Sequence, residues 1–160
     1  MLKLCEWLQN SALGTVLRES SLWFAVLESL HTLGIVLMAG TIAAVDLRLV
    51  GIALRREPVS SVARQLLPWT WAGFALMVAT GGPLAVSEAV KLYSSPSFRI
   101  KVLLMALAGA NALVFHRTIY RSVIQWDVAA TPWRARLAGI VSLLCWIGVI
   151  AAGRAVGYEE

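Results

Sequence analysis

The stretch running from Trp23 to Asp46, WFAVLESLHTLGIVLMAGTIAAVD, decides the fold. Only Glu28, His31 and Asp46 in it can carry charge, and all three sit among apolar or small neighbours. About 20 such residues suffice for a helix to cross the hydrocarbon core of a bilayer. Lipid offers no partner to free backbone N–H and C=O groups, so a single apolar run of this length reads as a helix. Three further stretches follow the same pattern, at about 66–87, 100–120 and 137–153. Together with about 23–46 they predict an all-α integral membrane four-helix bundle, a single membrane domain over residues 1–160.

The remainder of the chain agrees. Of 160 residues, 59% are hydrophobic and 14% charged, with a mean hydropathy of +0.74. A soluble domain carries about 25% charge, so this composition excludes a soluble globular enzyme and a disordered tail. Ahead of the first span, Leu4, Trp7, Leu8, Leu13, Val16 and Leu17 alternate with Lys3, Glu6, Gln9, Arg18 and Glu19. That alternation predicts a short amphipathic helix over residues 3–18, lying on the membrane surface. Glu6, Gln9 and Asn10 interrupt any apolar core of a cleaved signal peptide. Cys5 and Cys145 are too isolated to form a disulfide framework.

The net charge of +5 belongs to membrane loops rather than to a nucleic-acid surface, because the basic residues are spread along the chain. Arg48, Arg55, Arg56, Arg64, Arg117, Arg121, Arg134 and Arg136 fall on one side of the spans. Lys3, Arg18, Lys91, Arg99, Lys101 and Arg154 fall on the other. Eight against six puts both termini outside by the positive-inside rule, which predicts a multi-pass inner-membrane protein with periplasmic termini. Trp69, Trp71, Trp126 and Trp133 then mark the inner interface, and Trp23 and Tyr93 the outer one.

Ionisable residues inside spans are expensive and point to function. His31 and Asp46 are 15 residues apart, as are Lys101 and His116. At 1.5 Å rise per residue that is about 22 Å. Spans one and three run in the same direction, so one offset sets His31 level with Lys101, Asp46 with His116, and Thr41 with Asn111. The outer layer, with Gly81-Gly82-Pro83 opposite it to free backbone and kink the second span, has the parts of a haem b site. His31 would be the axial ligand or a proton-handling group, Glu28 would orient it, and Lys101 would be second ligand or charge partner. Arg99 and Arg154 would meet the propionates. His31 and His116 lie too far apart in height to share one iron. Asp46 and His116, level with each other, are expected to form a structural polar pair.

Two alternatives stand beside this redox-linked reading. Met38, Met77, Met105 and Cys145 fall at similar depths on four spans, and soft sulfur suits Cu(I). They would serve a copper or small-solute binding protein, or a permease that needs a homo-oligomer to form its path. A structural membrane subunit without cofactor would use the polar residues only for packing. Small residues from Gly34 to Ala44 are expected to face Ala106–Ala112 of span three.

The same residues carry a resemblance. Glu28-Ser-Leu-His31-Thr-Leu-Gly34, Asp46-Leu-Arg48-Leu-Val-Gly51 and Leu67-Pro-Trp-Thr-Trp-Ala-Gly73 open it. Phe98-Arg-Ile-Lys101 and Asn111-Ala-Leu-Val-Phe-His116-Arg117 complete it. Over nearly its whole length the chain resembles a bacterial family of small four-span membrane proteins of unknown function. It is more distantly similar to the copper-resistance D membrane proteins and the J-type protoporphyrinogen oxidases. The oxidase resemblance implies roles for a first-span histidine and a lysine opening a later span, which His31 and Lys101 match. A redox-linked role would also call for a redox partner.

Overall fold

The computed structural model describes residues 2–127 and 130–159. Among these there is no strand, and four helices are long and apolar enough to cross a membrane. Two short helices come first, α1 (Leu2–Gln9) and α2 (Ala12–Glu19), followed by the long α3 (Ser21–Val50) and α4 (Val59–Ser87). After the short α5 (Ala89–Ser94) come α6 (Pro96–Thr118), the single turn α7 (Val123–Trp126) and α8 (Trp133–Ala155). The N-terminal region is therefore two helices where the periodicity over 3–18 reads as one. Ser11 breaks it, because its hydroxyl accepts from Gly14 N and starts a new N-terminus.

Local chemistry sets the ends of the spans. Ser20 caps α3 by accepting from Trp23 N, and Gly51 ends it in the left-handed region at φ 85°. Its N–H bonds back to Leu47 O and Arg48 O, the stop that glycine permits. Asp127, remote in sequence, caps α4 by accepting from Ser60 N at 2.9 Å and from the Ser60 hydroxyl. Ser95 caps α6 through Phe98 N, with Pro96 in the first turn. α4 runs unbroken through Gly81-Gly82-Pro83 to Ser87. Pro83 lies inside the helix and does not end it.

The helices pack in the spatial order α4–α3–α8–α6. Small residues decide who meets whom. A Cβ at Gly73 would come within 2.6 Å of Met38 N, and one at Gly34 would meet the Met77 side chain at 3.0 Å. A Cβ at Gly139 would approach Asp46 O to 3.0 Å. The small face of α3 is thus spent on α4 and α8, not on α6 as the sequence suggested. α6 leans on α8, where Asn111 Nδ2 donates to Ala138 O at 2.9 Å. Thr41 finds its partner in Thr70 of α4 at 2.9 Å, so no rung joins Thr41 to Asn111. α4 and α6 form the walls of a groove whose floor is α3 and α8.

One end of the bundle carries the termini and α5. The other carries the connections after α3 and α6. At this loop end Leu49, Val59, Phe115, Val123, Trp126 and Ala135 form a buried cluster. Buried Arg48 ties it off, donating to Glu57 O at 2.6 Å and to Thr131 Oγ1 at 3.3 Å. At the termini end α1 packs on α5, with Gln9 Oε1 accepting from Val90 N at 2.9 Å. Leu2, Leu4, Trp7, Leu13 and Val16 remain exposed on the two short helices, the apolar face a bilayer interface would take.

Candidate functional site

Towards the termini end the groove widens into a cavity of about 430 Å³. His31 and Lys101 both line it, and the common height expected from spacing places them around one space. Glu28, Glu88 and Lys91 line it too, among apolar walls that include Phe24, Leu84, Leu92 and Phe98. Lys101 extends along the face of α8, its Nζ 3.6 Å from where a Cβ at Gly153 would stand.

The His31 ring has a defined tautomer. The Thr80 hydroxyl lies 2.7 Å from Leu76 O, a separation that requires its proton between the two oxygens. Thr80 Oγ1, 3.0 Å from His31 Nδ1, is then an acceptor there, so Nδ1 carries the ring proton. In the neutral imidazole Nε2 is left with a free lone pair. Thr80 is 4% exposed, which holds this pair away from competing partners. Room for the ring comes from the missing side chain of Gly81, where a Cβ would stand 2.9 Å from His31 Cε1.

Several residues stand elsewhere than expected. Glu28 is exposed at the rim and makes no hydrogen bond to His31 among the described residues; the orienting partner is Thr80. Arg99 is turned to Tyr93 O at 3.0 Å, and Arg154 is exposed. Neither lines the cavity; Lys91, on α5, does so together with Lys101. The sequence counts Lys91 only as charge outside the spans and gives Thr80 no role beyond a turn with Gly81. A threonine one residue before the glycine that admits the imidazole was the available signal.

Asp46 and His116 line a second cavity, of about 250 Å³, in the same groove nearer the loop end. They share no hydrogen bond among the described residues: His116 Nδ1 bonds Ala112 O at 2.9 Å, and Asp46 Oδ2 is without a partner. The sulfur residues are dispersed. Met38 and Met77 are buried at the α3–α4 contact and Cys145 is buried on α8, whereas Met105 is 37% exposed on α6. None of the four lines either cavity.

The segment after α8 forms part of the wall of the His31 cavity. The turn Val156–Tyr158 places Val156 and Gly157 in its wall. Beyond it the Glu159 carboxylate accepts from Ser97 N at 3.1 Å and from the Ser97 hydroxyl. Hydrogen bonding from Ser95 and Ser97 holds this carboxyl below its usual range.

Residues 4–159 match the model of a protein family described as a family of unknown function (DUF6644). No curated protein and no solved structure matches the chain.

Proposed function

The chain belongs to this family of unknown function, and we propose that it is a multi-pass membrane protein that binds haem b, in a redox-linked role, in the cavity at its termini end. The observation that carries the reading is the His31 tautomer. Its Nδ1–H is committed to Thr80, so Nε2 keeps its lone pair for a metal, the usual arrangement of a ligating imidazole with an orienting partner. The other residues fit such a group. Apolar side chains from four helices suit a macrocycle, and the Lys91 and Lys101 ammoniums suit two propionates. Arg99 and Arg154 would then act on the rim only. When bound, haem supplies one-electron chemistry, with a potential tuned by axial ligand and burial. The chain's own part is to hold the imidazole in one tautomer, to place cations at the mouth and to shield the space with the C-terminal turn.

The test is an absorption spectrum of detergent-solubilised protein from haem-replete cells. A Soret band is expected in the wild type, lost or shifted in His31→Ala and unchanged in His116→Ala. A colourless wild type overturns the reading.

A further inference from the structure

The second cavity makes a different demand. It lies between α4 and α6, with Asp46, Thr70, Asn111, Phe115, His116 and Trp146 in its lining and apolar side chains making up most of the rest. Asp46 is 6% exposed. Ser142 stands beside its carboxyl, and Oδ2 has no partner. The nearest basic residue in sequence, Arg48, donates to Glu57 O and Thr131 instead. A buried carboxyl oxygen without a partner is costly, and within a membrane such groups mark sites that are used.

The polar groups around it lean one way. The His116 Nδ1 proton is committed to Ala112 O, so the neutral ring presents Nε2 as an acceptor. Asn111 spends its amide on Ala138 O. Thr70 Oγ1 lies in bonding distance of Leu66 O and of Thr41. Asp46 Oδ2 and His116 Nε2 are therefore acceptors left open to a ligand. That ligand must bring a donor on an apolar body, and positive charge would complement Asp46. Phe115 and Trp146 add aromatic faces that attract a desolvated cation.

We propose that this cavity is a binding site for a small apolar amine in its ammonium form, with Asp46 as the anionic anchor and the α4–α6 opening as its route from the lipid. The site stands apart from the His31 cavity and does not depend on what that cavity holds.

The experiment is calorimetric titration of the full chain in detergent at neutral pH. Its two probes share one apolar body: phenethylamine, and phenethyl alcohol as the neutral donor. The amine is expected to bind the wild type at least about tenfold more tightly than the alcohol, as a desolvated charge pair requires. Asp46→Asn should erase that difference. Ala112→Leu, which fills the cavity and leaves Asp46 in place, should weaken both probes, and His31→Ala should weaken neither. Equal affinity for the two probes in the wild type overturns the proposal, as does undetectable amine binding. Amine affinity that survives Asp46→Asn overturns it as well. The wild-type comparison decides even where a variant fails to fold.

Discussion

At the loop end Leu49, Val59, Phe115, Val123, Trp126 and Ala135 close on one another, with Arg48 and Asp127 pinning backbone from neighbouring segments. At the termini end the same four spans part around a cavity of about 430 Å³ ringed by Glu28, His31, Glu88, Lys91 and Lys101. Charge divides the same way. Eight arginines at the loop end face only Asp46, Glu57 and Asp127, whereas six basic residues at the other end are matched by Glu6, Glu19, Glu28, Glu88 and Glu159. One end is built to hold the helices together, and the other spends polar residues on a space. Stability and occupation of the His31 cavity should accordingly separate by end.

Leu49→Ala should break the holding end with the largest effect. Leu49 is among the most deeply buried side chains, and removing such a leucine costs about 2–5 kcal/mol. Unfolding followed by thermal melting in detergent should show that loss, while the Soret band of the folded fraction keeps its position. Arg48→Gln comes next. It removes charge-assisted bonds to Glu57 O and Thr131 Oγ1, worth about 1.5–3 kcal/mol, and should again leave the spectrum alone. A spectral change in either variant would erase the separation of the two ends.

His31→Ala should sharpen the contrast from the other side. Its side chain bonds Thr80 across the helix contact, and interhelical hydrogen bonds in membranes average about 0.6 kcal/mol. A small shift in melting with complete loss of the Soret band is the expected pair of results. A large loss of stability would make His31 a structural residue.

Much of this division could be read in the chain. Four apolar runs fix four helices, and a rise of 1.5 Å per residue fixes height, which is why His31 and Lys101 line one cavity as their spacing required. Height says nothing of azimuth or of neighbours. Asp46 and His116 share a level and a cavity yet do not bond, and Thr41 and Asn111 turn to different helices. The order α4–α3–α8–α6 follows from backbone approach at Gly34, Gly73 and Gly139, and small residues in every span leave that order open in the sequence. Lys91 was illegible for another reason. Its place depends on α5, a helix of six residues, too short for periodicity to reveal.

The smallest effect belongs to the C-terminal closure of the open end. Glu159 lies beyond the last span, and hydrogen bonds from Ser95 and Ser97 lower its carboxyl below the usual 4.5. The sign follows from linkage: a group with a lowered value in the folded state binds its proton more weakly there than in the released state. The closure is therefore fully held above pH 4.5 and is lost as pH falls through the lowered folded value. Hydrogen exchange at Ser97 N–H, which donates to Glu159, should lose protection on acidification, relative to the pH trend of buried backbone amides elsewhere. Glu159→Gln, which still accepts a hydrogen bond but cannot titrate, should flatten that extra dependence. Because Val156 and Gly157 line the cavity, release should open the termini end and leave the loop-end cluster protected. Protection lost at both ends together would mean that the bundle yields as a whole, and that its two ends are not independent.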